Sequence, residues 1–219
     1  MALPRVNVKE ILRILADLYP DAKCALDHTS AFELLVATIL SAQCTDTRVN
    51  QITPRLFAKY PSAEALAAAE VRKLESVIGE CGLFRMKAKH LIGTAQRLLA
   101  VHQGQVPSTR EELMALPGVG RKTANVVLSN AFGVAAIAVD THVQRVSNRL
   151  GLAMSDDVSE TERQLMARVP EALWSAAHHW LIHHGRQVCH ARSPKCDECP
   201  LAPHCRYVKE RTKAVRQRA

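Results

Sequence analysis

The sequence predicts an all-α fold, and three observations carry that expectation. Apolar residues recur at helical spacing along most of the chain, as in Ile11, Leu12, Leu15 and Leu18. Helix-start signals precede the apolar runs, as at Ser30-Ala31-Phe32-Glu33, which has the form of a capping box. No strand has a convincing hairpin partner: only Ala135 to Val139 reads as a short extended apolar run, and it is expected to be a buried loop.

The elements follow in order. Pro20 closes the first helix, and the apolar run after Ser30 makes a core helix to Ser41. A helix from about Asp46 to Tyr60 is expected to bend at Pro54. Ser62 and Glu70-Val71 begin two short helices, and Gly79 and Gly82 bracket a turn before Leu83. A long amphipathic helix runs from Arg85 to His102 and stops before Gly104 and Pro107. Ser108-Thr109-Arg110-Glu111 reads as a second capping box, opening the segment to Leu116; Thr123 to Ala131 is the next amphipathic segment. Asp140 or Thr141 caps a helix whose core face is Val143, Val146 and Leu150. Ser159 to Glu162 caps another, and Glu171 to His184 gives one more, ended by Gly185. A cysteine loop and a basic tail (Arg206, Lys209, Arg211, Lys213, Arg216, Arg218) finish the chain.

Composition narrows the class. The 219 residues make one large domain or two small ones, and 47% hydrophobic content is enough for a real core. No apolar run reaches the roughly 20 residues of a membrane span. Met1 to Val8 lacks a signal peptide's apolar core, so a cytoplasmic protein without a membrane partner is expected. The net charge of +8 and pI of about 9.3 favour nucleic acid as a partner. Cys24, Cys44 and Cys81 stand apart and read as ordinary buried thiols.

The organising stretch is Leu116-Pro117-Gly118-Val119-Gly120-Arg121-Lys122-Thr123-Ala124-Asn125. Pro117 ends one helix, because the residue before a proline avoids the helical region. Gly118 and Gly120 permit backbone angles and approaches that a side chain forbids. The next helix starts with unpaired amides, a ready site for phosphate, and Lys122 sits in its first turn. By spacing alone, a tight turn in any helical bundle reads equally well. As a nucleophile, Lys122 must first lose a proton. The positive end of the helix dipole and the neighbouring Arg121 both disfavour its charged form, and partial desolvation would do the same. Otherwise it only neutralises phosphate.

Near the end, Cys189, Cys196, Cys199 and Cys205 gather four thiolates, a metal-binding set. Zinc sites usually pair cysteines two to four residues apart, and only Cys196 and Cys199 do so. The wider loops suit a larger cluster with four cysteine ligands. His178, His179, His183 and His184 share one helix without a zinc-protease glutamate and read as a polar, DNA-facing or packed face.

Three motifs together resemble the endonuclease III family of helix-hairpin-helix DNA glycosylases: Leu-Pro-Gly-Val-Gly-Arg-Lys-Thr-Ala, then Ala138-Val139-Asp140-Thr141-His142-Val143, then the cysteine spacing. The resemblance covers the chain nearly from end to end. It implies two helical lobes with DNA in the cleft between them. Residues 24–133 form a six-helix barrel-like lobe carrying the hairpin, and residues 1–23 with 134–219 form a lobe with a [4Fe-4S] cluster loop. It implies a base excision repair enzyme, a bifunctional glycosylase and abasic-site lyase acting on oxidised pyrimidines. Its partner is duplex DNA with damaged pyrimidines or abasic sites, and the chain is expected to act as a monomer, near the nucleoid if bacterial.

The resemblance also assigns residues. Lys122 is the nucleophile and Asp140 the catalytic aspartate. Gly118, Gly120 and Arg121 meet phosphate, as do Arg192 and Lys195 inside the cysteine loop. Gln43 and Leu83 fill the gap left by the flipped nucleotide. The carbonyls of Met114, Leu116 and Val119 hold a monovalent cation in some relatives. Rival readings differ in testable ways. An adenine glycosylase of the same superfamily lacks the hairpin lysine, a DNA-binding module shows no covalent chemistry, and an iron–sulfur electron carrier needs no hairpin.

Overall fold

The computed structural model describes residues 3–216, with side chains to Lys213. Among these residues every regular element is helical. The chain divides into two compact units, one holding residues up to Lys23 and again from Ala135, the other Cys24–Val134.

The first unit begins with α1 (Val8–Leu18), which Asn7 caps and which buries Ile11, Leu12 and Leu15. The second, continuous, unit then takes seven helical segments: α2 (Ala31–Ser41), α3 (Asp46–Lys59), α4 (Ala63–Ala67), α5 (Val71–Ile78), α6 (Phe84–His102), α7 (Arg110–Met114) and α8 (Arg121–Ala131). α2 is its centre. Residues 34 to 40 are all buried, and α3, α6 and α8 pack around it. A helix apolar on all sides can sit only inside a core. Ser30 caps α2 as expected, accepting from the Glu33 amide, while Glu33 turns back to Thr29. The last turn of α2 has a buried partner: Lys87 on α6 donates from Nζ to the Leu40 carbonyl at 2.8 Å. A cation suits a helix C-terminus.

The chain returns to the first unit with α9 (Thr141–Leu150), α10 (Val158–Arg168), α11 (Trp174–Gln187) and α12 (Arg206–Arg216). α9 packs on α11, α11 on α1, and α12 on α9. Ala136 to Val139 form the expected buried irregular run.

Several boundaries differ from the sequence expectation. Thr109, not Ser108, caps α7, with its hydroxyl also bonded to Glu112. α8 starts at Arg121, two residues earlier than expected. Asp157, ahead of Ser159, caps α10 by accepting from the Glu160 amide. α11 runs through Gly185 rather than ending there. A Cβ at that position would stand 3.0 Å from His142 and 3.1 Å from an Arg145 nitrogen, so the glycine serves close packing. The basic tail is not irregular: from Arg206 it is the helix α12. Arg218 and the side chain of Arg216 lie outside the described residues.

Candidate active site and metal centre

The hairpin is built on α6. Gly93 lies where a Cβ would come 3.3 Å from Pro117, so the hairpin proline packs closely on the bare backbone of α6 there. The next residue, Thr94, donates its hydroxyl to the Pro117 carbonyl at 2.7 Å. Leu113, Leu116 and Val119 turn into the core. Arg110 on α7 reaches across to buried Asn125 on α8, at 2.9 Å. Gly118 has a φ of +75°, and a Cβ there would lie 2.8 Å from the His90 ring. Both facts demand glycine. Gly120 is different: its φ is −92° and nothing stands within 4 Å of its missing Cβ. It gives α8 an approachable start, and no side chain caps that helix. Of the expected cation ligands, the Leu116 carbonyl already accepts from the Val119 amide at 3.2 Å.

Arg121 and Lys122 are both exposed in the first turn of α8. Lys122 is thus more exposed than the partial desolvation expected of it. Its ammonium is close enough to act on the half-buried Cys24 thiol, where Asp46 and Asp27 act in the opposite sense. Burial is the dominant cause there, and it pushes that thiol up.

Gln43 and Leu83 share an unusual feature. Only three non-glycine residues among those described have positive φ, and these two are among them, at 53° and 60°. Both are exposed, Leu83 at 51%. A left-handed backbone in a bulky residue is uncommon and is held by its surroundings. Here the turns lean on each other. A Cβ on Gly82 would stand 3.3 Å from the Gln43 carbonyl, and the thiols of Cys44 and Cys81 are 3.8 Å apart. Arg48 and Arg55 on α3 both pair with Glu80 at the foot of the Leu83 turn. The expectation of ordinary buried thiols holds for Cys81 alone of the three isolated cysteines. Cys24 and Cys44 are half-buried.

In the other unit, Asp140 caps α9. Its Oδ1 accepts from the His142 and Val143 amides, each at 2.8 Å. Among the described residues Oδ2 takes no hydrogen bond. One oxygen is thus fixed by the helix, and the second is available for chemistry.

The cysteine loop closes over its own cavity. Cys189, Cys196, Cys199 and Cys205 all line one small, partly open pocket. Yet among the described residues no three His, Cys, Asp or Glu side chains converge tightly enough for a single metal ion. Four sulfurs spread around one cavity fit a multi-iron cluster better than zinc. The walls are suited to thiolate charge. Arg149 on α9 lies with Nη1 3.4 Å from the Cys189 sulfur, and Arg211 lies 3.7 Å from that of Cys196. The same Arg149 donates to the His190 and Ala191 carbonyls, at 2.7 and 2.8 Å. His184 Nε2 stands 3.6 Å from the Cys199 sulfur, while Nδ1 is 3.0 Å from the Tyr19 hydroxyl. Burial lowers His184 to about 4, so its ring is neutral. Burial and neighbouring cysteines raise Tyr19 to about 12, so the phenol keeps its proton.

Arg149 and His184 were missed by sequence reading. The repeat Arg145, Arg149 on one face of α9 was the available signal. Arg192 and Lys195 are exposed on the loop as a DNA contact requires, but so are Asp197 and Glu198. The histidines of α11 divide: His178 and His184 are packed, both 1% exposed, while His179 and His183 are half-buried.

The helical fold and the cysteine-lined pocket define a class, helical proteins with a cysteine-ligated cluster site, and the comparisons narrow it. The HhH-GPD superfamily base excision DNA repair protein model matches residues 36–171. The iron–sulfur binding domain of endonuclease III matches residues 189–205, from the first of the four cysteines to the last. Endonuclease III of Bacillus subtilis is 50% identical over 212 residues, covering 95% of this chain and 97% of that protein. The Synechocystis enzyme of the same name is 50% identical over 206 residues and 94% of each chain. A solved structure of a trapped endonuclease III–DNA covalent intermediate, an estranged-adenine complex, superposes with a TM-score of 0.89. It is 49% identical and covers 95% of this chain and all of that one. The chain belongs to the endonuclease III family of the HhH-GPD superfamily. It is a base excision repair enzyme, a DNA glycosylase with abasic-site lyase activity, and it carries a [4Fe-4S] cluster.

Proposed function

We propose that the chain binds duplex DNA as a monomer, removes oxidised pyrimidines and cuts the strand through an imine on Lys122. The observation that carries this reading is the exposed Lys122 in the first turn of a helix with an open, side-chain-free start. In the reading, the amides after Gly118 and Gly120 and the Arg121 side chain take backbone phosphate, which positions the DNA without reading sequence. The neutral Lys122 amine attacks C1′ of the damaged nucleotide and the base leaves. The resulting Schiff base acidifies the C2′ proton, and its loss expels the 3′ phosphate by β-elimination.

Asp140 offers its free Oδ2 to the positive charge that builds on the sugar as the base departs. Gln43 and Leu83, exposed on strained neighbouring turns, enter the space left by the flipped nucleotide. The hairpin lobe is the unit Cys24–Val134, and the cluster lobe is the other unit. The cluster's contribution is structural: it folds the loop so that Arg192 and Lys195 project from it toward phosphate.

Borohydride trapping on a duplex with one thymine glycol tests the proposal, with Lys122→Ala beside the parent. The parent should form a covalent complex and the variant none, while the variant still binds the duplex. Base release without a complex by the parent would leave a monofunctional glycosylase. Neither release nor a complex, on this duplex and on an abasic one, would overturn the proposal.

A further inference from the structure

The isolated cysteines Cys44 and Cys81 have no part in the chemistry above. They nevertheless face each other with sulfurs 3.8 Å apart, 37 residues apart in sequence. Each stands in a turn singled out above. Cys44 follows Gln43, and its amide bonds back to the Ser41 carbonyl at 3.1 Å. Cys81 precedes Gly82 and Leu83, and its amide bonds back to the Ile78 carbonyl at 2.8 Å. The two turns are already in contact, with Gly82 against the Gln43 carbonyl. A disulfide needs sulfurs roughly 2.05 Å apart, so closing the pair asks for a movement of less than about 2 Å shared between two turns.

We propose that Cys44 and Cys81 are a peroxide-sensitive dithiol that closes to a reversible disulfide, tying the Gln43 turn to the Leu83 turn. The two thiols differ in access. Cys44 is half-buried and Cys81 fully buried. Burial, with the Cys44 thiol beside it, pushes Cys81 up to about 11, which keeps it from reacting first. Hydrogen peroxide is the oxidant. The Cys44 thiolate attacks one peroxide oxygen, the O–O bond breaks, and hydroxide leaves and gains a proton to become water. The Cys81 sulfur then attacks the Cys44 sulfenic acid, the S–O bond breaks, and a second water carries off the Cys81 proton. Two thiols and one peroxide become one disulfide and two waters. A dithiol reductant reverses the step. The functional weight of the bond rests on the reading that Gln43 and Leu83 enter the DNA gap, because the bond fixes the spacing of those two residues.

The experiment uses the cluster-loaded protein, with the cluster's visible absorbance followed throughout. After peroxide, digestion without reductant and mass spectrometry should find the Cys44 and Cys81 peptides joined, and dithiothreitol should separate them. In Cys81→Ala and Cys81→Ser, Cys44 should instead run on to sulfinic acid. The oxidised parent should melt higher by about 5–10 °C, because the bond constrains the unfolded chain. Cys44 found as sulfinic acid in the parent, with Cys81 still reduced, would overturn the proposal. So would a parent in which both remain reduced at a peroxide dose that oxidises Cys44 in the Cys81 variants. A bound lesion duplex should slow the reaction several-fold by covering the turns. An equal rate with and without bound DNA would leave the disulfide standing and remove Gln43 and Leu83 from the gap.

Discussion

At the scale of the residue, the two hairpin glycines do different work although they look alike in sequence. Gly118→Ala places a Cβ within 3 Å of the His90 ring at a φ of +75°. It should destabilise the protein by about 1–3 kcal/mol in chemical denaturation. Gly120→Ala meets nothing within 4 Å at an ordinary φ. Its melting point should hardly move, while its affinity for duplex DNA falls if phosphate comes up against that backbone. Unchanged affinity would take Gly120 out of the DNA contact. Asp140 allows a similar separation. Asparagine retains an oxygen for the His142 and Val143 amides, so Asp140→Asn should keep the fold. Base release should then slow roughly 100- to 1,000-fold with little change in affinity. Asp140→Ala should also lose the cap, at about 0.5–2 kcal/mol. The cap was legible in sequence because an aspartate before an amphipathic run has one obvious local use. The backbones of Gln43 and Leu83 were not. Neither residue type favours a left-handed conformation, so nothing local announces it, and only the packing of one turn on the other imposes it.

At the scale of the element, α9 and α11 frame the cysteine-lined pocket, and most of that arrangement lay beyond sequence reading. The capped starts of α2 and α9 were legible because a cap is a local device. The passage of α11 through Gly185 was not, because the reason for that glycine is the close approach of α9. The helical nature of α12 was hidden as well. Its sequence is strongly basic, and the order it has comes from packing on α9. Arg149 shows what these contacts do. Its guanidinium holds two carbonyls of the cysteine loop and touches the Cys189 sulfur. Lysine has no such planar fork. Arg149→Lys should therefore lose cluster absorbance faster than the parent in the presence of an iron chelator, with base release unaffected until the cluster goes. Equal rates of loss would show that the loop holds itself. Gly185→Ala should crowd His142 and Arg145 and cost about 1–3 kcal/mol.

At the scale of the whole molecule, the net charge of +8 was legible from composition and agrees with a nucleic-acid enzyme. What composition could not show is where titratable groups are buried. α11 carries such a group in His179. Burial lowers its pKa to about 3, with the neighbouring His178 and His183 adding to the shift. The unfolded chain binds a proton near pH 6.5 and the folded chain does not until about pH 3. The unfolded state therefore holds more protons throughout that window, and stability falls as pH falls through it. Its full contribution is present above pH 6.5. By pH 5 the loss from this one group should be about 2 kcal/mol. Glutamine is similar in size and cannot ionise, so His179→Gln should lose less stability than the parent between pH 7 and pH 5. Urea unfolding of the cluster-loaded protein at the two pH values measures the difference directly, since acid effects on the cluster are common to parent and variant. Parallel pH dependences would mean that His179 is solvated well enough to take up its proton in the folded state. The packing of the histidine face of α11 would then be looser than the structure describes.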